Sequence, residues 1–389
     1  RAANSDGFGY IYSKIDPDSY DTSDPNRIVF KLTEPVGSFK EALANPAVLI
    51  TSKDAGEDSF DTAPVGTGPF TLEAWNKLDS IVLAKNENYW GEPPAFDKMV
   101  FRIIPESNSR LIELESGQVD LAMEIAPSDI QKVEDNDSLT LNRVMDNSVH
   151  FIGLNTTRPP FDNPKARQAL NYAIDKTAIV DTILEGTGKV ATGPINPNFE
   201  YSISDDLKPR EVDIEKAKAM LAEAGVPEGT TIKFYVSDDS NRVDTATVVQ
   251  AQLAEVGLNV EITSLEWGTY VEALGNKEHD MFIMSWTPSV VDPHYALFSP
   301  YHSKNQGVGP NYMFYGNPEL DGLIDKGVGL PNGDERADVY KQAQEIILED
   351  SPMIYLYYGE QLVGTQNYVQ NYDINPAGSG EFYHITLDK

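Results

Sequence analysis

The apolar positions of residues 149–176 fall into two periods separated by a rigid turn. Residues 149–155 form an apolar run that reads as a buried strand, Pro159-Pro160 stops it, and Asp162 or Asn163 can cap the helix that follows. In that helix Ala166, Leu170, Ala173 and Ile174 recur at helical spacing, so one face is apolar. The alternation repeats downstream. Strands are predicted over 231–236, 259–265 and 280–286, with helices over 245–254 and 267–274 between them. A helix over 213–223 precedes this set, with Asp213 as its cap and Gly225 at its end. Helices over 320–326 and 335–348 follow, then an apolar strand over 353–358. Strands alternating with helices in this way predict an open α/β sheet.

Before residue 149 the pattern is shorter in range. Residues 27–32 alternate like a strand among turn formers, 80–83 and 99–104 read as short strands, and 107–115 reads as a helix. The aspartates of 16–18, 21–26, 54–56 and 135–137 could suggest calcium. They lack the glycine and terminal glutamate of a calcium loop, so Asx turns are predicted instead.

Composition narrows the class. With 389 residues, of which 40% are apolar, the chain can build a core divided among two or three domains. No apolar run approaches the length needed to span a bilayer. The absence of cysteine rules out disulfides, thiolate metal sites and a cysteine nucleophile. Acidic residues number 61 against 30 basic ones, a net charge of −31, which argues against nucleic acid as a partner. The acidic excess is spread along the whole chain and reads as a solvated surface rather than a field for cationic peptides.

Enzymatic patterns are missing. There is no Gly-x-Ser-x-Gly elbow and no phosphate loop, and His150, His279, His294, His302 and His384 show no His-x-x-x-His spacing. A carboxylate-based hydrolase remains as the enzymatic alternative, because an acidic chain always supplies two carboxylates.

Several blocks in fixed order carry a resemblance. They are Pro64-Val65-Gly66-Thr67-Gly68-Pro69-Phe70, Asn88-Tyr89-Trp90-Gly91 with Pro93-Pro94, Phe101-Arg102-Ile103-Ile104-Pro105, and Leu114-Glu115-Ser116-Gly117-Gln118-Val119-Asp120. The 150–176 stretch and residues 250–267, 282–286 and 312–320 complete the series, so the match runs from about Ile28 to the C-terminus. Together they resemble the extracytoplasmic solute-binding proteins, family five, that serve peptide and nickel ABC importers. The resemblance implies a two-lobed periplasmic-binding-protein-like α/β fold (class II type, cluster C), with open mixed sheets and a hinge of two crossings. Residues 1–70 would be a remnant of an extra subdomain of the first lobe, 71–155 and 357–389 the first lobe, and 156–356 the second. Family members begin with a long segment, and Arg1-Ala2-Ala3-Asn4-Ser5 resembles a helix end inside it, so a piece of a longer polypeptide is expected.

The same resemblance implies a non-catalytic, cofactor-free and monomeric subunit. It would lie in the periplasm or on the outer face of the cytoplasmic membrane, lipid-anchored in a Gram-positive organism. Its task would be to capture a peptide or peptide-like solute between the lobes and deliver it to a permease and its ATPase subunits. A nickel-chelate or haem receptor is the alternative within the family, with His294 and His302 as candidate metal ligands. Against that, Asp292-Pro293-His294 reads more simply as the start of a surface helix.

The best candidate site is the loop after the predicted 280–286 strand, comprising Trp286, Thr287, Ser289 and Asp292. Trp286 either stacks on a ligand or closes the core. In the peptide receptors that this chain resembles, the third residue after this tryptophan is an aspartate that pairs with the ligand's α-amino group. Ser289 stands there and cannot neutralise an ammonium. Dipeptide receptors also place an arginine ahead of the helix near 245. Val236 is the ungapped equivalent here, and the closest arginine is Arg242. It either forks onto a ligand carboxylate or, as expected, pairs on the surface with Asp238, Asp239 or Asp244. The neutral loop looks closer to glutathione-type receptors, and the two lost anchors suggest a longer or modified peptide. Asn147, Ser148 and His150 at the first crossing are further cleft candidates, and Tyr312 and Phe314 could supply an aromatic wall. Tyr270 and Glu266 read as structural.

Overall fold

The computed structural model describes residues 9–49, 52, 62–378 and 380–389, so the expectations for residues 1–5 and 54–56 lie outside the described residues. The chain divides into two compact units. The larger combines residues 9–47 with Asn147–Gly359, and the smaller combines Val48–Asp146 with Glu360–Lys389.

Four short elements open the larger unit: α1 (Gly9–Tyr12), β1 (Asp21–Asp24), β2 (Arg27–Val29) and α2 (Phe39–Ala42). β1 and β2 pair as an antiparallel hairpin, shorter than the strand predicted at 27–32. Long-range bonds tie this segment to its unit, with Asn45 Nδ2 donating to Ser289 O at 2.8 Å and Gly37 N to Val328 O at 2.7 Å. The predicted Asx turns form: Asp16, Asp21, Asp24 and Asn136 each accept the backbone N–H two residues on, at 2.9–3.0 Å.

In the smaller unit β3 (Phe70–Asn76), β4 (Ser80–Lys85) and β5 (Lys98–Arg102) form an antiparallel meander, followed by α3 (Ser107–Glu115), β6 (Leu121–Met123) and α4 (Ile130–Glu134). Its core gathers Leu111, Leu114, Ala122, Ile125, Val133 and Leu139 against Leu362. The chain leaves this unit in β7 (Leu139–Leu154), a single 16-residue strand that ends in the larger one.

The larger unit continues with α5 (Pro164–Ala173), α6 (Lys176–Ile183), β8 (Lys189–Val190), α7 (Ile214–Glu223), β9 (Thr230–Ser237), α8 (Ser240–Glu255) and β10 (Leu258–Leu265). Next come α9 (Trp267–Gly275), β11 (Met281–Trp286), α10 (Pro293–Tyr301), α11 (Pro318–Gly329) and α12 (Asp334–Asp350). β12 (Met353–Gln366) carries the chain back to the smaller unit, where β13 (Val369–Gln370) and β14 (Thr386–Leu387) pair antiparallel. The sheet is mixed. β9 runs parallel to β10 and β11, while β7 runs antiparallel to β11. Apolar residues of β9, β10, β11, α5 and α8 form the main core, among them Phe234, Val236, Val260, Met281, Ile283, Leu170 and Val249.

Local chemistry explains most boundaries. Asn163 rather than Asp162 caps α5, accepting from Lys165 N at 3.0 Å, Asp213 caps α7, and Gly225 follows that helix at φ 76°. α8 begins five residues earlier than predicted because Asp239 caps it through Arg242 N at 3.0 Å. β7 and β12 both exceed the predicted strands. Polar residues interrupt the apolar run of β7, yet side-chain bonds support it there. Arg143 forks onto both carboxylate oxygens of Glu360 at 2.8 Å, and Asn142 Nδ2 donates to Val363 O at 3.2 Å. α10 is no surface helix, since Pro293, His294, Tyr295, Ala296, Leu297, Pro300 and Tyr301 are all buried along it.

Candidate ligand-binding site

Because β9, β10 and β11 are parallel, their carboxyl ends, Ser237, Leu265 and Trp286, open on one edge of the sheet. The antiparallel register of β7 places His150 opposite Ser285 and Val149 opposite Trp286 at the same edge. The cap by Asp239 then sets Arg242 in the first turn of α8, just beyond the end of β9.

Arg242 turns inward. Its guanidinium donates to Ser237 Oγ at 3.0 Å and reaches Ser285 Oγ at 3.5 Å, while its Cζ lies 5.6 Å from the centre of the Trp267 ring. The surface pairing expected with Asp238, Asp239 or Asp244 does not form. Asp239 is spent on the cap, and among the described residues no carboxylate oxygen lies within 4.0 Å of the Arg242 guanidinium. The result is a half-buried cation held by two neutral hydroxyls.

His150 stacks on Tyr357, with ring centres 4.3 Å apart and planes inclined by 17°. Burial, helped by the positive charge of Arg242, pushes its pKa down to about 3, so the ring is neutral at physiological pH and offers one donor and one acceptor. Asn147 is buried beside it in sequence and accepts from Asn198 Nδ2 at 3.2 Å, and Asn196 Nδ2 donates to Ser148 O at 2.9 Å.

The loop after β11 is more divided than the sequence suggested. Trp286 is half-buried and donates its indole N–H to Tyr295 O at 3.1 Å, which fixes the ring from behind. Thr287 and Ser289 are exposed. Asp292 is committed elsewhere: 4% exposed, its carboxylate caps α10 through His294 N at 2.9 Å and meets Arg336 Nη2 at 2.9 and 2.8 Å. Burial pushes this carboxyl up from its ordinary value, with Arg336 pulling against the shift.

Tyr312 and Phe314 gather at the other end of β11. Tyr312 meets Phe282 edge-to-face at 6.2 Å and its carbonyl accepts from His279 Nε2 at 3.0 Å, and Lys277 Nζ covers the Phe314 ring at 4.2 Å. Both are buried, and the four residue steps from Phe282 to Trp286 span roughly 13 Å of strand. They do not form one wall with Trp286. Tyr270 and Glu266 act structurally as expected, the first donating its hydroxyl to Ile283 O and the second capping α9. His294 stacks on Phe298 at 5.1 Å and burial drives its pKa down to about 3, while His302 is buried and accepts from Lys304 N. Among the described residues no group of three or more such side chains is placed to hold a metal ion.

Ser237, Ser285, Trp267 and Tyr357 were not singled out in sequence. The first two carried a readable signal, since each stands at or next to the end of a predicted parallel strand, where loops leave a crevice.

Comparison with known proteins agrees with this architecture. The model of the bacterial extracellular solute-binding proteins, family 5 (middle region), matches residues 1–308. Heme-binding protein A of Haemophilus influenzae is 31% identical over 383 residues, covering 95% of this chain and 70% of that protein. Glutathione-binding protein GsiB of Escherichia coli strain K12 is 33% identical over 343 residues, covering 85% of this chain and 66% of its own. The chain thus spans about two thirds of the length of these curated relatives. Among solved structures, the ABC transporter-associated periplasmic binding protein DppA of Helicobacter pylori, in complex with peptide STSA, superposes with a TM-score of 0.82 at 29% identity, covering 96% of this chain and 74% of that one. With four fifths of its length matched by the family model and relatives above 30% identity, the chain belongs to the bacterial extracellular solute-binding proteins of family 5.

Proposed function

We propose that this chain is the solute-capturing subunit of an ABC importer and takes a peptide or peptide-like solute that carries a free carboxylate. The observation that supports this reading is Arg242, an inward cation with no carboxylate partner among the described residues, at the carboxyl ends of β9 and β11. A guanidinium presents parallel N–H groups that match the two oxygens of a carboxylate, and such charge-assisted pairs are about twice as strong as the bonds Arg242 now makes to hydroxyls. In a chain of net charge −31 this cation is also a selective anchor for an anionic end. Trp267 and the neutral, stacked His150 add an aromatic and polar surround.

The amino end of the solute is treated differently. Ser289 supplies no charge to an ammonium, so recognition there rests on neutral hydrogen bonds, which suits a longer or modified peptide better than a free dipeptide. No bond is made or broken in this reading. The protein works outside the cytoplasmic membrane and hands its load to a permease driven by separate ATPase subunits. Among the described residues no helix is long and apolar enough to cross a membrane. Haem is the second reading, favoured by the heme-binding relative aligned over 95% of this chain.

A thermal-shift panel on the complete chain tests the proposal, with di- to octapeptides, glutathione, haem and nickel chelates. Ligands stabilise the native state by mass action. A rise in Tm with peptides or glutathione, lost when their carboxyl groups are amidated, is the expected result. A rise with haem or nickel chelates alone would overturn it.

A further inference from the structure

A second site lies within the larger unit and shares no residue with the Arg242 cluster. α5, α6, the 207–210 loop, the end of α12 and the start of β12 enclose a cavity of about 100 Å³. Three of the side chains lining it are basic, Lys176, Lys208 and Arg210, and none is acidic. That composition runs against the rest of the chain, where acidic residues outnumber basic ones two to one.

Lys176 is the least ordinary of the three. It is 7% exposed, and its ammonium meets only the amide oxygen of Asn171, at a long 3.4 Å. Among the described residues no carboxylate lies within 4.0 Å of Lys176, Lys208 or Arg210. A buried ammonium held by one weak acceptor is costly, and buried lysines normally shed the cost by pairing or by losing a proton. Burial, with Arg210 adding like charge, accordingly draws the Lys176 pKa down to about 8. Asn171, whose oxygen faces Lys176, also lines the cavity, and its amide group carries two further donors. The charged side chains that line the cavity are therefore donors alone.

We propose that this cavity is a binding site for one small oxyanion of phosphate or sulfate size, held by Lys176, Lys208, Arg210 and the amide hydrogens of Asn171. The volume suits such an ion, because a single water needs only about 10–15 Å³ of this kind of space. It is too small for a peptide. Occupancy would supply the counter-charge that Lys176 lacks and would join α5 and α6 to the 207–210 loop. The site is independent of the transport reading, so either can fail alone.

The test is calorimetric titration of inorganic phosphate, sulfate and acetate into the complete protein at constant ionic strength set with chloride. One site filled at millimolar concentration or below by phosphate or sulfate is expected. The affinity should fall at least fivefold in Lys176→Met and in the exposed double variant Lys208→Gln/Arg210→Gln, which keeps the test valid if the buried substitution disturbs folding. Phosphate should also raise the pKa of Lys176 measured by NMR on its Nζ. Absence of binding by either tetrahedral anion overturns the proposal, as does equal affinity in the protein and the double variant. Equal affinity for acetate would overturn the tetrahedral preference.

Discussion

Arg242 concentrates the recognition chemistry of the candidate site in one side chain, and its value depends on what it lacks. A guanidinium already paired with Asp238 or Asp244 would have little left for a ligand, whereas one resting on Ser237 and Ser285 can exchange neutral for charged partners. Arg242→Gln should therefore weaken binding of peptides with a free C-terminus by about 10- to 100-fold, the equivalent of about 1.5–3 kcal/mol for a hydrogen-bonded charge. C-terminal amides should lose almost nothing, and calorimetry with both forms separates the outcomes. Asp292 illustrates the opposite case. Asp292→Ala should leave peptide affinity unchanged but strand Arg336, which is 1% exposed, at a cost of about 3–5 kcal/mol in urea unfolding. The type of residue was readable at Asp292, Tyr312 and Phe314. The direction of each side chain was not, because it depends on partners far along the chain, such as Arg336 for Asp292, 44 positions away, and Phe282 for Tyr312.

Three histidines give stability a defined pH slope. Burial lowers His150 and His294 to about 3 and His279 to about 4, below the ordinary 6.5. The unfolded chain therefore binds more protons than the native one as pH drops below 6.5, and stability must fall in that direction, by up to about 1.4 kcal/mol per pH unit for each histidine. Thermal melts between pH 7.5 and 5 should show this loss, and His294→Gln should make the slope shallower. An unchanged slope in that variant would show that His294 contributes nothing to it.

At the scale of elements, caps and close approaches do the positioning. Asp239 both starts α8 and holds the turn that presents Arg242, so Asp239→Ala should cost about 1 kcal/mol of stability and weaken ligand binding as well. A loss of stability alone would mean that Arg242 keeps its place without the cap. Gly153 in β7 is set by contact rather than by backbone angle. A Cβ there would lie 2.3 Å from the Phe282 ring, so Gly153→Ala should destabilise by about 1–3 kcal/mol through overpacking. Strand and helix types were legible wherever the apolar period was clean, as in β9, β10, β11 and α9. The first half of β7 and the second half of β12 were not, since Asn142, Arg143 and Glu360 break the period while their side-chain bonds hold the strands.

At the scale of the whole molecule, charge is the dominant property. A surplus of 31 negative charges repels itself, and salt screens that repulsion over about 10 Å at about 0.1 M and about 3 Å at about 1 M. Tm should rise across this range. A fall would mean that surface ion pairs such as Lys165 with Glu223 outweigh the net repulsion.

The chain by itself determined the order and kind of its elements, its family resemblance and its exclusion of cysteine chemistry, because those follow from local periods, caps and residue types. Tertiary structure alone decided that Arg242 faces Ser237 and Ser285, that Asp292 belongs to Arg336, that Tyr312 and Phe314 sit away from Trp286, and that three cations share a cavity with no acid. The physical reason is that each of these meetings depends on strand order, register and helix docking. Apart from Arg242 with Ser237, which are 5 positions apart, those are contacts between distant segments that no short window of sequence contains.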